Sequence, residues 1–262
     1  MSSDNASAAR RPALQLGLQE NWQQFGLLML VNALVGGMVG LERTVVPLVG
    51  TQEFGIGSEM VVFSFIIAFG VVKALVNFAS GVLADRFTRK AVLIAGWVVG
   101  LPVPFMLGFG PSWGWIVAAN VLLGVSQGLA WSMTVNMKID LAGPRNRGLA
   151  MGLNEAAGYG AVGLTALLTG YLAAQYGLRP EPFYIGVAYT ALGLLLSVVW
   201  VKDTRPFAQL EGTLVRRGQG VETSEATLAY VPGGSVRRAG LFFTENPSEY
   251  QLELRTFGYQ EP

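Results

Sequence analysis

The sequence predicts an all-α membrane protein, six transmembrane helices followed by a polar tail. Three observations carry this. Of 262 residues, 52% are hydrophobic and 13% charged, about half the charged share of a soluble domain. The apolar residues gather into six stretches, each near the roughly 20 residues that cross a bilayer as a helix. The basic residues collect in alternate connections between those stretches, as they do when one side of a membrane retains them.

The chain opens on a polar segment, 1–24, that carries Arg10 and Arg11. No short apolar stretch with a small-residue cleavage site follows, so no removable leader is expected. A six-helix bundle is assigned to 25–202, with spans at about 25–47, 58–83, 91–109, 115–137, 148–173 and 183–201. Helices are preferred to strands because a backbone in lipid must satisfy its own hydrogen bonds, and these runs lack two-residue alternation. In the first span Ala33, Gly36, Gly37 and Gly40 form small-xxx-small pairs, as Gly152, Ala156 and Gly160 do in the fifth; both sets predict close helix contact. Pro102 and Pro104 predict a bend in the third span. Trp97, Trp113, Trp115 and Trp200 fall near span ends and suit interfacial belts, while Trp131 lies deeper and is read as core.

Charge sets the orientation. Arg10 and Arg11 precede the first span, Arg86, Arg89 and Lys90 follow the second, and Lys138, Arg145 and Arg147 follow the fourth. The other side offers only Arg43 and Arg179. Both termini are therefore expected in the cytoplasm, with a bacterial inner membrane as the expected location. Beyond Lys202, residues 203–262 mix charges of both signs with Gly and Pro, which predicts a poorly ordered cytoplasmic tail. Its arginine pairs, Arg216 with Arg217 and Arg237 with Arg238, are the alternative, a lipid contact.

Composition also excludes. With no cysteine and no histidine, disulfides, thiol nucleophiles, Cys/His metal sites and histidine-based triads are absent. No cofactor or metal is expected, and the chain is not read as an enzyme. A net charge of +1 gives no attraction to nucleic acid; the expected partners are the lipid bilayer and a small solute. The only Asn-Pro pair, Asn246-Pro247, lies in the tail, which excludes paired Asn-Pro-Ala pore motifs.

Polar residues inside a span are expensive, so each one is a candidate for function. Lys73 lies near the middle of the second span, with Asn77 one turn on along the same face. Asn154 and Glu155 lie about two turns into the fifth. Lys73 and Glu155 fall at comparable depth, and two readings stay open: an ion pair that fixes packing, or groups lining a path for substrate or ion. Glu42 and Arg43 close the first span and are read chiefly as interfacial anchors, with the path as alternative. Gln127, mid-way along the fourth span, suits either the path or an interhelical hydrogen bond.

The connection after the second span reads Gly81-Val-Leu-Ala-Asp85-Arg86-Phe-Thr88-Arg89-Lys90. Basic anchors alone would explain Arg86, Arg89 and Lys90, but not Gly, Leu, Ala and Asp at this spacing. Here the sequence resembles the major facilitator superfamily, whose signature in this loop is G-x-L-a-D-r-x-G-r-K; Thr88 stands at the second Gly. The stretch from Asp140 to Gly148 is similar to that family's connection between helices 4 and 5. Gln127-Gly128 matches the end of its R-x-x-Q-G element, with Gly124 at the arginine position. Gly158, Gly160 and Gly163 lack the Gly-Pro pair of its antiporter motif, so antiport is not assigned.

The resemblance covers about 20 to 205. It implies a half bundle of two inverted three-helix repeats, and alternating-access transport with substrate held between two such halves. It further implies that Gly81, Asp85, Arg86, Arg89 and Lys90 form a conformational gating loop. Only one half is present. A truncated or frame-shifted product is the favoured expectation; a homodimeric half-transporter and a separate partner chain are the alternatives. The chain alone is then expected to be inactive, and a non-transporting six-helix membrane protein is the reading from another class.

Overall fold

The computed structural model describes residues 17–204, 209–216, 219–227, 243–244 and 250–256. Six helical segments long and apolar enough to cross a bilayer stand where the apolar runs placed them: α1 (Trp22–Glu53), α2 (Glu59–Arg86), α3 (Arg89–Phe109), α4 (Trp113–Gly143), α5 (Arg145–Tyr176) and α6 (Glu181–Val199). Several outrun their apolar cores. α1 continues past Pro47 and closes in a π-helical turn at Val49–Glu53. Glu42 and Arg43 therefore lie well inside the span, which corrects the reading of both as interfacial anchors. α3 is interrupted between Gly100 and Val103, the bend that its prolines require.

No loop separates α4 from α5. They form one run, Trp113–Tyr176, broken only at Gly143 (φ 71°, ψ 175°). Glycine enters this region without the Cβ clash that bars other residues, and Pro144, with no N–H to satisfy, suits the first turn of the next helix. The connection expected over Asp140–Gly148 is thus a single-residue break. It leaves Lys138 more than a turn inside α4, fully buried, and so corrects its placement in the connection after the fourth span.

The most extensive contact in the bundle is between α1 and the α4–α5 run. Small residues make it possible. A Cβ on Gly36 would collide with the backbone of Gly158, and one on Gly40 would meet the carbonyl oxygen of Val162 at 2.5 Å. Gly152, Gly160 and Gly163 have nothing within 4 Å: the small-residue stripe expected to pack α5 faces away from the bundle. Trp97 is 1% exposed, with its ring against Gly193, so it belongs to the core and not to an interfacial belt. Of the central window of α1 and of α4, 67% is buried, against 17% for α2 and α5. The uncovered side of α2 carries an apolar stripe, Ile67, Val71, Leu75, Phe78 and Val82.

Each end of the bundle is tied by an arginine. At one end Arg89 Nε lies 2.7 Å from Asp140 Oδ2, and Thr204 Oγ1 donates to the same oxygen at 2.6 Å. At the other, Arg179 pairs with Glu53, its Nε donating to Oε2 at 2.6 Å and its Nη1 to the Gly110 carbonyl at 2.8 Å. Arg179 also stands over the Phe54 ring, so one side chain joins three inter-helix connections.

After α6 come three antiparallel strands, β1 (Gln209–Arg216), β2 (Gln219–Thr227) and β3 (Gln251–Thr256), in the order β2-β1-β3. Over these residues a sheet replaces the expected poorly ordered tail. The register sets Leu252 opposite Leu214 and Leu254 opposite Gly212. The N-terminal segment up to residue 16, with Arg10 and Arg11, and the tail residues Arg217, Arg237 and Arg238 lie outside the described residues.

Candidate functional site

A connected set of polar side chains crosses the middle of the bundle, and it begins with Asn32. This residue of α1, fully buried, donates to the Asn154 carbonyl at 2.7 Å and accepts from Thr134 Oγ1 at 2.8 Å. One amide thereby joins α1, α4 and α5, and a buried amide demands such partners. The close packing at Gly158 is what brings it there, since a Cβ at Gly158 would strike both Asn32 and Trp131. Gln127 donates to the Val35 carbonyl at 2.7 Å; it ties α4 to α1 and takes the interhelical role of its two readings.

The face left open by α2 and α5 gathers the charged groups. Glu155 Oε1 accepts from Asn154 Nδ2 at 2.8 Å and from Trp131 Nε1 at 3.3 Å. Lys73 forms no ion pair with Glu155; the pairs Arg89–Asp140 and Arg179–Glu53 lie at the two ends of the bundle. The Lys73 ammonium stands 4.5 Å above the Trp131 ring and 5.6 Å from the Phe69 centroid. Lys73 meets the face of the indole and Glu155 its N–H edge, and equal depth did not bring the two charges into an ion pair. Arg43 stands 5.5 Å from the centroid of that same Phe69 ring. Tyr159 lies against Trp131, and one turn beyond Lys73 the exposed Asn77 accepts from Ser132 Oγ at 3.0 Å.

Two buried charged residues stand apart. Glu42 is fully buried, and neither carboxylate oxygen has an aligned donor, although the amide of Asn120 lies close. Lys138 donates to the Leu28 carbonyl at 3.2 Å and is the site residue that the sequence reading missed. The signal was its type and place, a lysine one turn past Thr134 on a helix that ends only at Gly143. Glu155 is the acidic group whose field reaches both Lys73 and Lys138.

The signature between α2 and α3 divides in two. Gly81 has nothing within 4 Å, so no close approach explains it, and Asp85 and Arg86 are exposed. Thr88 has φ −80°, a conformation that needs no glycine, and its hydroxyl accepts from the Ala91 N–H at 3.1 Å as the N-cap of α3. Arg89 turns inward to Asp140. Lys90 donates through its backbone N–H to Asp203 at 3.1 Å and through Nζ to the Val198 carbonyl at 2.8 Å. Gly124, at the arginine position of the family pattern, faces the Phe69 carbonyl oxygen, which a Cβ would meet at 2.8 Å, and Gly128 faces Val76. α2 lies too close to α4 for an arginine at 124, and the nearby cation comes from α2 itself, at Lys73.

The model of the Major Facilitator Superfamily matches residues 15–244. An uncharacterised MFS-type transporter of Schizosaccharomyces pombe is 29% identical over 167 residues, covering 61% of this chain and 33% of its own length. The multidrug resistance protein MdtG of Serratia proteamaculans is 32% identical over 124 residues, 47% of this chain and 29% of that protein. The efflux pump PmrA of Streptococcus pneumoniae is 27% identical over 186 residues, 68% of this chain and 45% of the pump. Among solved structures, a bacterial homologue of the human lysosomal transporter Spinster, inward-facing and unoccupied, superposes with a TM-score of 0.56 at 16% identity, covering 68% of this chain and 42% of that one. The chain spans less than half the length of each of these proteins.

Proposed function

The chain belongs to the Major Facilitator Superfamily, and on that premise we propose that its six helices form one half of a secondary transporter that moves a small solute across a bilayer by alternating access. A second six-helix unit, on the same chain in a longer form, on a partner, or from a second copy, closes the other side of the path. One observation carries the reading: the intramembrane groups Arg43, Lys73, Asn77, Ser132, Glu155 and Tyr159 collect on the side where α2 and α5 lack cover. Charge inside a membrane is retained where it faces a cavity or a partner, and substrate sites of this architecture lie between two such bundles. The basic residues Arg86, Arg145 and Arg147 mark the end bearing the α2–α3 connection as cytoplasmic, and a bacterial inner membrane agrees with the bacterial origin of two of the relatives. The Arg89–Asp140–Thr204 bonds at that end hold this half together as a body that can rock against the other.

The test is uptake by liposomes containing the purified chain at a known oligomeric state. The expected result is no saturable, gradient-driven uptake by the monomer. Uptake by a demonstrated monomer would overturn the need for a second unit, and uptake proportional to the dimer fraction would identify that unit as a second copy.

A further inference from the structure

The open face of α2 and α5 gathers two cations, Arg43 of α1 and Lys73 of α2, that make no direct ion pair within this half. Arg43 and Lys73 approach one phenyl ring, that of Phe69, at 5.5 and 5.6 Å, and neither has a carboxylate within ion-pair distance among the described residues. The nearest acids are engaged or withdrawn. Glu155 spends one oxygen on Asn154 and Trp131 and makes no ion pair with Lys73, and Glu42 is fully buried. The aromatic faces of Phe69 and Trp131 soften the desolvation of the two cations without consuming their N–H donors. Two like charges over one ring still repel, and in a membrane interior each uncompensated cation is costly. An anion bound between them removes both penalties. Arg43 offers the planar fork that matches a carboxylate or phosphate, and Lys73 a compact point charge. Beside them Phe69, Trp131 and Tyr159 present ring surface, with Tyr159 63% exposed.

Resting on the half-transporter reading, we propose that this face binds an organic anion, a carboxylate or phosphate ester with an aromatic or apolar body, its charged group between Arg43 and Lys73 and its body against Trp131 and Tyr159. The selectivity runs against lipophilic cations, which would have to displace or approach two positive charges to reach the same rings.

The experiment is equilibrium binding to the full chain in phosphatidylcholine nanodiscs, with 1-naphthoate and 1-naphthylmethylammonium as probes of matched size and opposite charge. Naphthoate is expected to bind saturably and at least about tenfold more tightly than the amine, the worth of one charge-assisted hydrogen bond. Lys73→Met and Arg43→Gln should each weaken naphthoate about tenfold, while Lys73→Arg keeps affinity within about threefold and so separates lost charge from lost fold. Preference for the amine, no saturable binding of either probe, or unchanged binding in both neutral variants would overturn the assignment. So would loss of naphthoate binding when phosphatidylglycerol replaces part of the bilayer, which would give the two cations to lipid headgroups. Because the readout is binding, naphthoate bound without uptake by an assembly that includes the second six-helix unit would leave this site standing and remove the transport reading; uptake of the amine in preference by that assembly would do the reverse.

Discussion

Removing Asp140 should unsettle the whole signature-bearing end of the bundle. Its carboxylate lies 2.7 Å from Arg89 Nε, and accepts from Arg89 Nη2 at 3.3 Å and from Thr204 Oγ1 at 2.6 Å. The two charged side chains are only 6% and 10% exposed. Breaking a buried ion pair by removing one partner costs about 3–5 kcal/mol, because the other charge is left without compensation. Only Nη2 of Arg89 has an aligned hydrogen bond to the carboxylate, while Nε approaches it off its N–H axis, which places each single change near the lower limit, about 3 kcal/mol. Arg89→Ala takes the paired guanidinium from Asp140 and leaves it the Thr204 hydroxyl; Asp140→Ala leaves the guanidinium in the packed turn. The double variant orphans neither, so the pair should show a coupling of about 2 kcal/mol within the usual range for contacting residues. The assay is reversible unfolding in mixed micelles of rising SDS fraction, run on parent, singles and double. A buried pair is screened little, so the coupling should also persist between low and high salt. Additive singles, or singles each below about 1 kcal/mol, would show that water reaches the pair and would refute the reasoning.

Three further outcomes are expected. Trp131→Phe should couple with Lys73→Met by roughly 0.5–2 kcal/mol, the cation–π range, whereas Lys73→Met and Glu155→Gln should be nearly additive; strong lysine–glutamate coupling in unfolding cycles would restore the direct pair. Lys138→Met, which removes a buried charge held by one carbonyl and keeps the volume, should leave the unfolding temperature unchanged or raise it; a fall of several degrees would mean that the bond to Leu28 outweighs desolvation. Gly124→Ala should destabilise by about 1–3 kcal/mol because its Cβ presses on the α2 backbone, while Gly160→Ala, into open space, should be neutral or slightly stabilising through helix propensity. Equal effects at the two glycines, read by the same unfolding assay, would contradict the packing described.

What the sequence made legible was whatever depends on run length and spacing. Six apolar stretches gave six helices, the Gly36–Gly40 stripe gave the α1–α5 contact, and the α2–α3 signature gave the family. What it concealed depends on where helices stop and which way they face. Lys138 looks like a loop residue because Gly143-Pro144 follows it closely, yet α4 stays helical up to that glycine and draws the lysine inside. Glu42 and Arg43 looked terminal because the first span was drawn to close at about 47, but the helical path runs on through Pro47 to Glu53. Lys73 and Glu155 share a depth, and depth carries no azimuth: each meets a tryptophan on a third helix, the lysine at its ring face and the glutamate at its indole N–H. The Gly152–Gly160 stripe has the same pattern as the one in α1 and no neighbour, since periodicity names a face without naming what it meets.

The staples beyond α6 fix a seam for recombination. Gln24 clasps the chain on both sides, donating to the Trp200 carbonyl and accepting from the Lys202 N–H, each at 3.0 Å; Asp203 holds the Lys90 N–H, and Thr204 reaches Asp140. The bonds that tie the chain after α6 to the bundle therefore run on to Thr204, past Val199, where the last helix stops. A gene fusion joined after Thr204 inherits every one of these bonds and can carry any sequence onward, whether a sheet, a second bundle or a reporter. One joined at Val199 forfeits them all, and the N-terminus, the signature turn and the last helix then lose their common knot.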